Sequence, residues 1–242
     1  MFGFMKSPKQ PVRDLNYERN KDEYVRKNFK PMIEQTYPGS EYSRDLGMPR
    51  EVYESMGYPN NHTEYKATNN IEFADKNPVL SKVWTRSKED KGKKGVFYST
   101  VFFGIACSYT MPFEAPLYFR VKHRDIHSIK ANKQMTVLLG NNDFDEYYEV
   151  ETNNAELLKS LFPNKIIPYF LDIADKKEKM IEVCLTGNHI HSRLHDKDYL
   201  EFSNVEDDSI KSDELKASFN SVLAVVGLKK LITDELNNKL NQ

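Results

Sequence analysis

The segment from residue 181 to residue 194 constrains the fold of this chain more than any other. Its centre, Gly187-Asn188, is a two-residue turn of the kind that joins antiparallel strands, and apolar residues alternate on both sides of it. With these two residues as the turn, Thr186 pairs with His189, and all outer pairs follow. A slip of one residue would move every aliphatic side chain to the other face, so the pattern predicts a β-hairpin of fixed register.

The predicted register gives the hairpin one apolar face and one polar face. The apolar face, which we expect to lie against the core, includes Ser192 and five aliphatic residues: Ile181, Val183, Leu185, Ile190 and Leu194. The polar face, which we expect to meet solvent, holds the remaining residues: Glu182, Cys184, Thr186, His189, His191 and Arg193. On that face Glu182 and Arg193 are expected to form a cross-strand ion pair.

The polar face has a chemical interpretation and a structural one. Two imidazoles and a thiol are ligands that zinc accepts, so Cys184, His189 and His191 form a candidate metal site. Alternatively, Cys184 and His191 are a nucleophile and its base. The structural interpretation is a solvated sheet face. The sequence lacks a C-x-x-C or H-E-x-x-H motif, which favours the structural interpretation, and no cofactor is expected.

Strand-like sequences fill the middle of the chain. The most apolar run, residues 96–103, lies between Gly95 and Gly104, and its aromatic and β-branched residues predict a strand buried on both faces. Further strands are predicted at residues 63–73, 79–85, 105–111, 117–122, 135–139, 147–151 and 199–202. The dense acidic residues at 143–151 lack the spacing of a calcium loop and predict a solvated edge.

Helical patterns lie at both ends of the chain and after the central strands. Residues 15–35, 49–56, 154–162 and 166–173 are predicted helices, the first with an apolar stripe. A long amphipathic helix is predicted to begin at Ser212 as its N-cap. Gly227, in the middle of that helix, indicates a close backbone contact or a bend.

This order of elements predicts the fold class. Strands follow one another between helical ends without a regular βαβ alternation, which is typical of an α+β fold. We therefore expect a mostly antiparallel sheet flanked by helices, with a long C-terminal amphipathic helix. Residues 1–60 are expected to form an N-terminal helical extension packed on a core domain of residues 61–242.

Composition excludes several classes of protein. The formal net charge of -1 argues against a dedicated nucleic-acid binder, so no nucleic-acid partner is expected. The two cysteines are too few for a disulfide framework and favour a reducing compartment, the cytoplasm. No apolar run approaches the ~20 residues that a membrane-spanning helix needs.

Basic residues nevertheless cluster on both sides of the central strand. Lys91, Lys93 and Lys94 precede it in the chain, whereas Arg120, Lys122 and Arg124 come after it. If the two groups share a face, that face is suited to an anionic membrane surface or an acidic partner. If they do not, each is a solvated rim.

The order of motifs from residue 63 to residue 236 resembles a bacterial family of uncharacterised domains that are often found behind two membrane helices. The matching pieces are the run at 97–104, the segment at 145–151 with the short helix that ends at 163, the hairpin at 181–194 and the terminal helix. This sequence has no counterpart of the membrane helices. The family has no established activity, so the resemblance implies no catalytic residues.

These features lead to a functional expectation and an alternative. We expect a non-enzymatic cytoplasmic binding or scaffold module that acts with a protein partner, in a self-assembly, or at the inner membrane surface. The alternative is a metal- or cysteine-dependent hydrolase that uses Cys184, His189 and His191.

Overall fold

A computed structural model describes residues 15–58, 62–74, 76–92, 95–125, 133–175, 179–203 and 208–241. The strands are β1 (Glu41–Ser43), β2 (Glu64–Glu72), β3 (Val79–Asp90), β4 (Val96–Thr110), β5 (Phe119–His123), β6 (Thr136–Val137), β7 (Tyr148–Thr152), β8 (Met180–Thr186) and β9 (His189–His195). The helices are α1 (Leu15–Thr36), α2 (Arg50–Ser55), α3 (Asn142–Tyr147), α4 (Ala155–Leu161), α5 (Ile166–Asp175) and α6 (Asp208–Leu240).

The strands of the described residues form one nine-stranded sheet in the order β1-β2-β3-β4-β9-β8-β5-β7-β6. Neighbouring strands run antiparallel throughout. The predicted α+β class is therefore confirmed, with a helix near the N-terminal end and a 33-residue helix, α6, near the other. None of the described helices has the length and apolar character needed to cross a bilayer.

Different elements cover the two faces of the sheet. Helices α1, α4, α5 and α6 pack over one face and enclose the main core, which includes the aliphatic residues of β8 and β9. On the other face, a smaller cluster forms beneath α2, where Tyr53 and Met56 contact Val83, Phe102 and Ala106. Side chains alternate between the faces along each strand, so β3 and β4 contribute to both clusters.

The prediction of a strand buried on both faces at residues 96–103 is wrong, because only Phe102 of these residues is buried. Strand β4 is continuous from Val96 to Thr110, and its first residues lie at the surface: Phe97 is 49% exposed and Tyr98 is 51% exposed. Burial begins only at Phe102. The reason is that the N-terminal part of β4 extends beyond the strands and helices that cover its later part.

Gly104 does not separate two strands, as the sequence analysis expected, but lies within β4. Its φ is +153°, and a Cβ there would lie 2.0 Å from the carbonyl oxygen of Leu194 in β9. The missing side chain therefore lets the backbones of β4 and β9 approach each other.

Three local predictions differ from the structure near the acidic segments. Helix α6 begins at Asp208, so Ser212 lies inside the helix instead of capping it. Residues 199–202 contain a turn and no strand, because Leu200 has a φ of +52°, outside the extended region. Helix α3 was not predicted, because its acidic residues were assigned to a solvated edge. The Asn141 side chain caps it by accepting a hydrogen bond from Phe144 N at 3.0 Å.

The close contact predicted at Gly227 is confirmed. The hydroxyl of Tyr169, in α5, donates a hydrogen bond to the carbonyl oxygen of Ala224 at 3.0 Å. A Cβ on Gly227 would lie 2.3 Å from that hydroxyl oxygen. Glycine at this position therefore lets α5 and α6 pack together through Tyr169.

We expect Gly227→Ala to lower the free energy of unfolding, although alanine favours a helix by ~1 kcal/mol over glycine. The added methyl group displaces the Tyr169 hydroxyl, and such overpacking costs about 1–3 kcal/mol. The measurement is urea denaturation of four proteins: wild type, Gly227→Ala, Tyr169→Phe and the double variant. Gly227→Ala should cost less in the Tyr169→Phe background; an equal cost in both backgrounds would contradict the proposed clash.

Candidate functional site

The β8–β9 hairpin has the predicted register. Thr186 lies opposite His189, Cys184 opposite His191, and Glu182 opposite Arg193. Its aliphatic face lies in the main core, as predicted.

The prediction that the polar face of this hairpin meets solvent is wrong. Glu182, Cys184, His191 and Arg193 are all buried, and of the two imidazoles only that of His189 is exposed. The physical reason is that α2 and residues 56–58 lie over this face. Tyr53 and Tyr58 supply aromatic rings that accommodate the buried charges.

The buried Arg193 guanidinium contacts a carboxylate, a tyrosine hydroxyl and an aromatic ring. Its Nε donates to Glu182 Oε2 at 2.9 Å, and its Nη1 donates to the Tyr53 hydroxyl at 2.8 Å. The guanidinium carbon lies 3.6 Å from the centroid of the Tyr58 ring. His195 Nε2 lies 3.2 Å from Glu182 Oε2. The predicted Glu182–Arg193 pair is thus confirmed, but as a buried pair within a hydrogen-bonded network.

The two members of this pair keep each other charged. Burial by itself would raise the pKa of Glu182, but Arg193 and then His195 outweigh it, so the pKa lies below its ordinary value. Burial would likewise lower the pKa of Arg193, but Glu182 more than compensates and raises it. Such a pair orders the packing of α2 on the sheet and is not a titrating catalytic group.

The two histidines lie side by side with their rings stacked, 5.6 Å between centroids. His191 Nδ1 is 3.1 Å from Ser108 Oγ, and His189 Nδ1 is 3.2 Å from Thr110 Oγ1. Burial, and next the neighbouring His189, lowers the pKa of His191 to about 4, so this imidazole is neutral at physiological pH.

The thiol of Cys184 lacks the features of an activated nucleophile. Burial raises its pKa, and Arg120 only partly opposes that effect. An activated cysteine has a depressed pKa instead. In the ranges that the structure describes, no three His, Cys, Asp or Glu side chains are arranged to hold a metal ion. A metal at Cys184, His189 and His191 stays a prediction, with no structural observation in its favour.

The predicted contact residues fall into two separate groups, because β9 and β8 lie between β4 and β5. In the first group, Lys91 lies next to Glu89 at 3.1 Å and 5.2 Å from the centroid of the Phe97 ring. Lys93 and Lys94 lie outside the described residues.

The second group is engaged within the fold. Arg120 Nη2 donates to the carbonyl oxygen of Gly57 at 2.6 Å, Lys122 pairs with Glu149 at 3.1 Å, and Arg124 Nε donates to the carbonyl oxygen of Asp145 at 3.0 Å. These cations hold β5 to its surroundings, so the first group is the better candidate for an external contact.

Strands β3 and β4 continue past their neighbours and form a two-stranded arm, which we define as residues 87–92 and 95–100. The last pair between β2 and β3 is Glu64 with Arg86, and the pairing of β4 with β9 begins at Gly104. Among the described residues, 87–90 and 96–99 therefore pair only with each other. Three consecutive large apolar residues of the arm are exposed: Val96 (44%), Phe97 (49%) and Tyr98 (51%).

A cleft of about 480 Å³ opens at the base of the arm, where the helical layer ends. Its walls come from α1, β2, β3, β4 and the segment around Glu201. Trp84 and Phe103 lie opposite each other on β3 and β4, and Lys66 lies opposite Trp84 on β2, so the three share one sheet face. Lys82, on the same face, is buried beneath Glu201.

Most charges in this cleft are paired. Glu201 bridges Lys21, at 2.6 Å, and Lys82, and Arg44 pairs with Asp22. Two cations differ. In the described part of the chain, Lys66 and Arg86 have no carboxylate partner, and Arg86 lies 4.1 Å from the Trp84 ring centroid. The sequence alone does not reveal this site, because its residues meet only through the pairing of β2, β3 and β4.

Comparisons with known proteins show little similarity. No protein-family model matches the sequence, and no curated protein matches it. Among solved structures, the chain is similar to the crystal structure of the mycobacterial trehalose monomycolate transport factor A, TtfA, with a TM-score of 0.39 and 10% sequence identity. That match covers 90% of this chain and 97% of the TtfA chain. A likeness this weak supports no conclusion about what this protein binds or does.

We expect Arg193→Met to lower the free energy of unfolding at neutral pH by about 3–5 kcal/mol, because it leaves the Glu182 carboxylate buried without its cation. The double variant Glu182→Gln/Arg193→Met should be more stable than Arg193→Met, since no unpaired charge remains. Arg50→Met, which removes the surface partner of Glu54, is the control and should cost less than about 1 kcal/mol. Urea denaturation measures all four proteins.

The difference in unfolding free energy between the wild type and Arg193→Met should depend on pH, because the pKa of Glu182 differs between the two proteins. In the wild type this pKa is lowered, so the stability it contributes is present above the ordinary carboxyl pKa and is lost as the pH falls. In Arg193→Met, burial raises the pKa, so stability is lost as the pH rises instead. The free energies of unfolding of the wild type and of Arg193→Met should therefore become more similar as the pH falls from 7 toward 4. A difference that does not change with pH would contradict a charged buried pair.

Proposed function

We propose that this protein is a non-enzymatic binding module of the cytoplasm that attaches to an anionic membrane surface through the arm. The observation that carries the proposal is the exposure of Val96, Phe97 and Tyr98 on a ribbon that no other described element covers. The proposed attachment is peripheral.

The exposed apolar side chains of the arm favour a partner or a membrane that removes them from water. Val96 and Tyr98 share one face of the arm and Phe97 lies on the other, because side chains alternate along a strand. A single exposed apolar residue is ordinary on a protein surface, but large apolar residues exposed on both faces of one short ribbon are typical of an interaction site. Burying a side chain of this size contributes about 1.5–3 kcal/mol of favourable free energy to binding. A two-stranded ribbon is also only marginally stable by itself in water, so the arm gains most from a partner that covers it.

The charges of the arm indicate which partner is suitable. Residues 87–100 contain four lysines, at positions 88, 91, 93 and 94, against the two acidic residues Glu89 and Asp90, whereas the whole chain has a net charge of -1. Each basic residue near an anionic lipid surface contributes about 1 kcal/mol. Aromatic rings with basic neighbours are typical of the membrane interface, where rings enter the headgroup region and cations stay near phosphates.

Two further features support this setting. Both cysteines are free, which fits a reducing compartment. The motif order resembles a family whose members often follow membrane helices, so a place close to a membrane agrees with that resemblance. The hydrolase alternative has no comparable support, because the pKa of the Cys184 thiol is raised and that side chain is buried.

We expect the protein to sediment with vesicles that contain phosphatidylserine and not with vesicles of phosphatidylcholine alone, and to be released by raising the salt concentration. Phe97→Ser should weaken this binding by about tenfold or more, because it removes an apolar side chain that enters the interface. Lys91→Glu should weaken it as well and reduce its salt dependence.

Leu138→Ser is the matched control, because Leu138 is exposed (64%) but lies outside the arm. It should bind vesicles like the wild type. The absence of salt-sensitive binding would contradict the membrane proposal. Concentration-dependent dimers that Phe97→Ser abolishes would instead identify the arm as a surface for self-association.

A further inference from the structure

We infer that the cleft at the base of the arm is a binding site for a small molecule that combines a flat ring with a phosphate group, the chemistry of a nucleotide. The cleft lies on the helical side of the sheet, and binding there does not depend on membrane attachment of the arm. Three features carry it: two aromatic walls, two cations that have no carboxylate partner among the described residues, and a floor held by ion pairs.

The aromatic walls supply a place for a flat ring. Trp84 and Phe103 are cross-strand partners that line the cleft, and both are only partly buried. Side chains this large normally lie in the core, and here the helical layer stops short of them. Aromatic rings bind the faces of nucleobases by stacking, which contributes about 1–3 kcal/mol per base in single-stranded nucleic-acid sites.

The two cations supply a place for the phosphate. Lys66 and Arg86 are diagonal neighbours across β2 and β3, since Lys66 lies opposite Trp84 and Glu64 opposite Arg86. Diagonal neighbours on a sheet face are about 7–8 Å apart, so both long side chains reach one phosphate placed between them. Arginine presents paired N–H groups to phosphate oxygens, and its position 4.1 Å from the Trp84 ring brings phosphate and ring sites together.

The floor of the cleft is held in place by ion pairs. Lys82 is 8% exposed and is fixed by Glu201, which in turn holds Lys21 at 2.6 Å. The Lys82 ammonium lies 5.1 Å from the centroid of the Phe103 ring and so orients that wall of the site. The cavity of about 480 Å³ falls in the range of small-molecule pockets, about 300–1,000 Å³.

The sequence provides a direct reporter for this site, because Trp84 is the only tryptophan in the chain. Its fluorescence can therefore be followed, without lipid, during titration with adenosine monophosphate, flavin mononucleotide, adenosine and inorganic phosphate. We expect at least one of the two ring phosphates to change the emission saturably. Adenosine and phosphate should each bind at least about tenfold more weakly, because each makes only part of the contacts.

Variants separate this site from unspecific binding. Lys66→Ala and Arg86→Ala should each raise the dissociation constant of the ring phosphate by about tenfold. Lys159→Ala, in the last turn of α4, is the control and should leave it unchanged. Equilibrium dialysis provides the dissociation constants independently of the emission, since Arg86→Ala also alters the surroundings of Trp84, and circular dichroism shows that each variant is folded.

Several results would overturn the inference. One is the absence of saturable binding of both ring phosphates; another is adenosine binding as tightly as the monophosphate, which would show that the two cations are not used. Equal binding of inorganic phosphate would show that the aromatic walls are not used. Dissociation constants that stay the same in Lys66→Ala and Arg86→Ala would place the ligand elsewhere.

Discussion

The surfaces to which we assign function depend on one constraint: β3 and β4 are longer than the strands on either side of them. Their pairing continues through 12 residues of β3, whereas β2 has nine residues and β9 has seven. Where neighbours and helices cover both strands, the side chains form core. Where that cover ends, the same alternation leaves Trp84, Phe103, Phe97 and Tyr98 partly or largely exposed. The cleft lies where the covering elements end, and the arm extends beyond them.

The opposite face of the sheet shows how the fold handles charge where cover is complete. The buried Glu182–Arg193 pair costs desolvation, which the hydrogen bonds of Tyr53 and His195 and the ring of Tyr58 offset. The pair lies where the short helix α2 crosses the hairpin, so it links the N-terminal part of the chain to the last two strands. The charges of Glu182 and Arg193 are thus paired with each other inside the fold. The cleft differs, because Lys66 and Arg86 remain available.

The sequence was sufficient for the elements whose patterns are local. The turn at Gly187-Asn188 determined the hairpin register, and the apolar stripe of α1 was readable as well. Alternation along a strand, however, shows which side chains share a face and not what covers that face. That is why the polar side of the hairpin was expected in solvent, although α2 covers it. For the same reason the run at 96–103 was expected in the core.

The cleft was beyond sequence reasoning for a different physical reason. Lys66 and Trp84 meet only if β2 and β3 pair in one particular register, and that pairing contains an irregularity between Thr68 and Ile71. An irregularity of this kind shifts later residues to the other face, so spacing in the sequence cannot predict which side chains become neighbours. Glu201 approaches from more than 100 positions away along the chain. Charge counting located the basic residues of the arm but did not distinguish them from Arg120, Lys122 and Arg124, which the fold uses internally.

Hydrogen–deuterium exchange, with and without phosphatidylserine vesicles, tests the central claim most directly. In the free protein, amides of residues 87–90 and 96–99 should exchange on the order of a hundredfold faster than those of residues 105–108 in the covered part of β4, because only one partner strand holds them. Vesicles should then slow exchange selectively in the arm. Arm amides that exchange as slowly as the centre of β4 in the free protein, or vesicle protection that appears only elsewhere, would contradict an unsupported arm that binds membranes.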